Sequence, residues 1–114
     1  MAVVARTQTD WMKAVEEVTR RIVNTVRPQR ILLFGSAARG NFNRDSDLDF
    51  LVIMRSPVHR RQVAQQIYRN LHGVDLPVDI IVATEEDMTQ HGDKSWSILR
   101  PALAEGQIIY DEQH

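Results

Sequence analysis

Three short apolar runs, RILLF (30–34), DLDFLVIM (47–54) and PVDIIVA (77–83), constrain this chain more than any other feature. Each is too short for a globular helix and ends at a glycine, a proline or a polar loop, the mark of a buried strand. Around them the periodicity turns helical. TDWMKAVEEVTRRIVNTV puts Trp11, Val15, Val18, Ile22 and Val26 on one stripe, with Thr7 or Thr9 as a cap and Arg27-Pro28 as a stop. In SPVHRRQVAQQIYRNLHG, Ser56 suits an N-cap, Pro57 the first helical position and Gly73 the terminator, with Val63, Ile67 and Leu71 facing inward. SAARG starts a short helix after the first strand and NFNRDS continues as a polar loop. Thr84, followed by Glu85, Glu86 and Asp87, is a capped helix start with acids in its first turn. The tail reads as a helix from Ser95 to Glu105, kinked or restarted at Pro101, then a strand from Gln107 to Tyr110 after Gly106. Strands alternating with helices predict an α/β sandwich whose sheet is covered mainly on one face. This pattern leaves the strand order open.

The second run contains an anomaly. Asp47 and Asp49 stand two apart, so in a strand their carboxylates share a face while Leu48 and Phe50 turn to the other. Strand interiors disfavour aspartate, burying a carboxylate is costly, and two on one face repel. The third run offers another lone acid, Asp79, and if the two strands are neighbours the three carboxylates meet. Hard oxygen ligands of this kind suit Mg²⁺, which also binds substrate phosphates and relieves the repulsion. The alternatives are that Asp47 caps its own loop and that Asp79 is a strand-end residue bonded to a nearby loop, with Asp75 the competing acid in the turn GVDLP. Gly35 and Ser36, at the end of the first strand, present an open backbone and a hydroxyl at a helix start, which together suit a phosphate. Their plain reading is a tight turn with Ser36 as N-cap. Arg39 is placed to neutralise phosphate charge or to form a surface ion pair.

The rest of the chain excludes more than it assigns. Its 114 residues predict a single domain spanning 1–114, with 43% apolar and 25% charged residues. Fourteen basic against fifteen acidic side chains give a net charge of -1, so no direct DNA binding is expected. There is no cysteine for disulfides or thiolate chemistry, and no run of transmembrane length, so a cytoplasmic location and no membrane association are expected. Neither G-x-G-x-x-G nor G-x-x-x-x-G-K-[ST] occurs, and His59, His72, His91 and His114 are scattered without a zinc pattern.

Gly35-Ser36, ten residues, then Asp47-Leu48-Asp49 resembles the signature of the polymerase-β-like nucleotidyltransferase superfamily. The longer text RILLFGSAARGNFNRDSDLDFLV is similar to the minimal nucleotidyltransferases, small proteins often paired with a HEPN-domain protein. The resemblance runs from the leading helix through VDII to EGQIIY, with Pro101 as its departure. It implies a mixed sheet with helices mainly on one face. It also implies that Gly35 and Ser36 hold the triphosphate of ATP, that Asp47 and Asp49 bind two Mg²⁺ ions with Asp79 completing the triad, and that Arg39 fills a basic position of the GSxARG turn. The activity implied is transfer of AMP from ATP to a hydroxyl, tyrosine in particular, of a HEPN ribonuclease, so that the protein acts as an antitoxin. Two other functions compete: neutralisation of that partner by binding alone, and nucleotidyl transfer to a small molecule. The first helix's apolar face also leaves room for a homo- or hetero-oligomer.

Overall fold

The computed structural model describes residues 8–35, 47–55, 57–89 and 106–112. The expected SAARG helix, the NFNRDS loop and the Ser95–Glu105 helix with its Pro101 lie outside the described residues, as does Thr7. The elements are α1 (Gln8–Val26), β1 (Arg30–Phe34), β2 (Leu48–Met54), α2 (Arg60–Arg69), β3 (Val78–Thr84), α3 (Glu85–Thr89) and β4 (Gln107–Asp111). The four strands form one sheet in the order β3-β2-β1-β4. β1 runs antiparallel to both of its neighbours, whereas β2 and β3 are parallel. The parallel pair follows from the connection, because a helix between two adjacent strands returns the chain to its starting end. The sheet is therefore mixed.

Alternation along the strands divides the core in two. Ile31, Leu33, Leu48, Phe50, Val52, Ile80 and Val82 pack with Trp11, Val15, Val18 and Ile22 of α1 and with Val63 and Ile67 of α2. The opposite face carries a smaller cluster of Leu32, Leu51, Ile53 and Ala83, with Phe34 and Ile81 beside it. Helices α1 and α2 thus share one face, as the stripe on α1 predicts. Arg21 fastens the two helices, its guanidinium donating to the carbonyls of Asn70 at 3.3 Å and His72 at 2.5 Å.

Local punctuation explains most element ends. α1 stops where Pro28 bars the preceding residue from the right-handed helical region, and Arg27 adopts a left-handed φ of 49°. Its N–H still donates to the Val23 carbonyl at 3.1 Å. Thr9 lies within the helix and does not cap it. α3 begins as expected: the Asp87 N–H donates to Thr84 Oγ1 at 3.1 Å, and the Thr84 N–H donates to Asp87 Oδ2 at 2.9 Å. This reciprocal pair satisfies two donors that the helix start would otherwise strand.

α2 departs from the sequence reading. It starts at Arg60, and its N-cap is His59, whose Nδ1 accepts from the Gln62 N–H at 3.3 Å. Residues 57–59 stay outside the helix, carrying Val58 against the main core. Pro57 therefore does not open the helix, and Ser56 lies outside the described residues. The helix ends at Arg69 with Asn70 as its C-cap, earlier than Gly73, which takes a φ of 84° in the following turn. Among the described residues no helix is long and apolar enough to cross a membrane.

Ile22 is fully buried between α1 and the sheet. Ile22→Ala is expected to cost about 2–5 kcal/mol, read as a lower urea midpoint at unchanged slope. Met12→Ala, on the exposed side of the same helix, should stay within about 0.5 kcal/mol of the parent.

Candidate active site

The acids stand on the face of the sheet away from α1 and α2. Asp49 alternates with Leu48 and Phe50, which are buried in the main core, so its side chain turns to the face of Leu51 and Ile53. In register it lies between Phe34 of β1 and Asp79 of β3. Adjacent strands are about 4.8 Å apart, so Asp49 and Asp79 present their carboxylates side by side. The adjacency of the two strands, which the sequence left open, is thus supplied by the fold. Asp47 is not in the strand: it stands exposed just before β2, whose first N–H, that of Leu48, donates to the Pro77 carbonyl at 2.9 Å. The structure therefore pairs Asp49 with Asp79 and sets Asp47 at the entrance. Asp75 lies in the α2–β3 connection, away from the Asp49–Asp79 register.

The electrostatics follow from that placement. Burial is the first cause that pushes the Asp49 carboxyl above its ordinary range, and the charges of Asp79 and Asp47 add to it. Phe34 and Leu51 share that face, and the in-register Asp79 exerts the larger of the two charge effects.

Gly35 closes the back of the site. Its φ of 77° lies in the left-handed region, and a Cβ built there would overlap Asp49 Oδ2. Two independent constraints therefore demand glycine. The close approach expected at this position is made by the chain's own carboxylate. Ser36 and Arg39, the other two residues expected to hold phosphate, lie outside the described residues, as do Gly40, Arg44 and Asp45.

Among the described residues no three His, Asp or Glu side chains close into a metal cage. Two in-register carboxylates with a third near enough to raise the charge burden make an open donor set. Such a set fits Mg²⁺, which commonly takes one or two protein carboxylates and completes its shell with water and phosphate oxygens. One further side chain reaches the acids without being marked in the sequence. Tyr68, on the polar side of α2, places its hydroxyl 3.4 Å from Asp79 Oδ1. An exposed aromatic on an amphipathic helix carries no signal that would single it out.

With this geometry in place, relatives are informative. The family model described as a nucleotidyltransferase domain matches residues 12–109. A Methanocaldococcus jannaschii protein named as a candidate protein adenylyltransferase is 30% identical over 100 residues, covering 86% of this chain and 96% of its own. The crystal structure of a candidate nucleotidyltransferase from Sulfolobus solfataricus superposes with a TM-score of 0.64 at 18% identity, covering 93% of this chain and 85% of that one. A chain from a toxin–antitoxin crystal structure with AMP-PNP gives 0.57 at 21% identity, covering 86% and 74% respectively. At these identities the two structural likenesses speak for the fold.

Two outcomes are expected at the acids. Gly35→Ala should destabilise the protein by about 1–2 kcal/mol from backbone conformation alone, and more through the overlap with Asp49. In an Asp49→Ala background the penalty should fall toward the backbone part, as read by urea denaturation. The second outcome concerns pH. A carboxyl raised in the folded state binds its proton more tightly there than in the unfolded chain. Its contribution is fully present below the unfolded value and is lost as pH rises through the folded one. In magnesium-free buffer, Asp49→Asn should therefore match the parent's stability at low pH and exceed it at pH 7, measured by thermal unfolding across that range.

Proposed function

The chain belongs to the nucleotidyltransferase domain family, among its minimal members, and from that premise we propose that it transfers AMP from ATP to a hydroxyl of a HEPN-type toxin, acting as its antitoxin. The observation that carries this reading is the register of Asp49 with Asp79, with Gly35 behind them. An inert binding domain gains nothing from ionised carboxylates held side by side on a strand pair, since their repulsion opposes the fold. The named relative covering nearly its whole length supports adenylyl transfer in particular.

In this reading Asp49 and Asp79, with Asp47 at the entrance, hold Mg²⁺. When bound, the ion neutralises phosphate charge and lowers the pKa of the attacking hydroxyl. Ser36 and Arg39, with the backbone at Gly35, grip the triphosphate and aim its α phosphorus toward the acids. The acceptor oxygen forms a bond to that phosphorus as the bond to the β-phosphate oxygen breaks, and pyrophosphate leaves. The acceptor's proton passes to Asp79 or to a water. Catalysis of this kind is mostly positioning and charge stabilisation, which a rigid strand pair supplies.

Tyrosine is the acceptor we assign on the partner, from the resemblance to minimal nucleotidyltransferases. The partner assignment draws support from the likeness to a chain crystallised in a toxin–antitoxin complex. Among the described residues β3 is an edge strand and Asp79 is exposed on it, which favours an acceptor that approaches from outside with its own recognition surface.

Intact-mass analysis of a HEPN-type partner co-purified with this chain and incubated with ATP and Mg²⁺ tests the proposal. Addition of one or more AMP units is expected with the parent. Asp47→Asn and Asp79→Asn should each abolish the addition while the complex still forms. No mass change in a confirmed complex would replace transfer with neutralisation by binding alone. An equal mass change with both variants would place the chemistry on other residues.

A further inference from the structure

Tyr68 projects from α2 across the outer edge of β3. The strand is the last in the sheet, so its outward N–H groups have no strand partner among the described residues. The Ile80 N–H donates instead to the Tyr68 hydroxyl at 2.8 Å. With a lone pair taken in this way, the hydroxyl keeps its own proton to donate, and Asp79 Oδ1 lies 3.4 Å away. The phenol therefore joins a backbone donor to the carboxylate of the preceding residue. Its root is firm: the adjacent Ile67 and nearby Val63 are buried in the main core, and Arg21 ties down the chain after α2.

Asp79 needs such a hold. It is exposed on an edge strand, and its in-register neighbour is Asp49. Like-charge repulsion favours rotamers that swing Asp79 outward, away from the position in which both carboxylates can share a cation. A hydroxyl donating to one oxygen holds the group near the strand and leaves the other oxygen free. Hydrogen bonds of this type orient metal-binding carboxylates from outside the ligand set.

We propose that Tyr68 is a positioning residue that holds Asp79 beside Asp49 for the divalent cation accompanying ATP. This rests on reading the acids as a nucleotidyl-transfer site. Tyr68 is 43% exposed, so removal of its hydroxyl leaves the Ile80 N–H open to water and should not unfold the protein.

Isothermal titration of ATP, with and without Mg²⁺, on the parent, Tyr68→Phe, Asp79→Asn and the double variant is the test. Tyr68→Phe should weaken binding in Mg²⁺ by about tenfold and leave binding without Mg²⁺ unchanged. In the Asp79→Asn background the same substitution should have no further effect, because Tyr68 acts through that carboxylate. Amide exchange at Ile80 should quicken in Tyr68→Phe with little change in melting temperature. Faster exchange at Ile80 with parental affinity in Mg²⁺ would reduce Tyr68 to a cover for the strand edge and overturn the proposal. An equal loss in the Asp79→Asn background would overturn it too. If the parent itself gains no ATP affinity from Mg²⁺, the reading of the acids fails, and the role of Tyr68 fails with it.

Discussion

The repulsion between Asp49 and Asp79 is the constraint around which the rest of this structure is arranged. Asp49 is held by hydrogen-bonded strands on both sides, with Phe34 in register on one and Asp79 on the other. It cannot move without moving the sheet. Burial and two neighbouring carboxylates oppose its ionisation, and nothing in the sheet's own packing compensates them. Gly35 belongs to the same arrangement, since the space that a side chain would occupy there is filled by the Asp49 carboxylate. A domain selected for stability alone would place a β-branched residue at position 49. The local cost points to chemistry as the reason for these residues.

The remainder of the fold carries that cost on its opposite face. Leu48, Phe50 and Val52 are fully buried under α1 and α2, alternating with the residues that face the acids. A slip of one residue in the pairing of β2 would drive Asp49 into this core and expose Phe50, which is heavily penalised. The apolar face therefore fixes the register that aligns Asp49 with Asp79. The crossover through α2 makes β2 and β3 parallel, so that both acids occur near the start of their strands, at the same end of the sheet. Packing and site are two readings of one alternation.

That alternation also explains what could be read in the sequence. The strands, the buried stripe of α1, its stop at Pro28 and the Thr84 cap each depend on a few consecutive residues, and each appears where the residues indicate. Asp49 was legible for the same reason, as an acid where a strand should be apolar. Its pairing with Asp79 was legible only on condition that β2 and β3 are adjacent, because periodicity carries no information about neighbours. The start of α2 misleads since a proline fits an extended approach as well as a first helical position, and the choice at Pro57 is made by where Val58 packs. Tyr68 was invisible: its partners are a carboxylate and an N–H on another element, brought within reach only by the seating of α2 along the edge of the sheet.

Position at that edge has a further consequence for what the acids can serve. A cavity of about 520 Å³ lies between α1 and β4, lined by Val15, Thr19, Val23 and Tyr110 among others, and shares no residue with the acidic site. The acids instead border the strand that is outermost among the described residues, with Asp79 exposed and Asp47 exposed at the entry to β2. On the proposed reading the acceptor is a macromolecule, which does not depend, as a small molecule does, on burying most of its surface in a concave pocket. Its contacts elsewhere hold the reactive hydroxyl in place and raise its effective concentration at the acids. On the proposed reading, then, binding of the toxin and modification of it are one event. The contact surface acts as the substrate pocket, and a variant that weakens the contact should lower transfer even with all three acids intact.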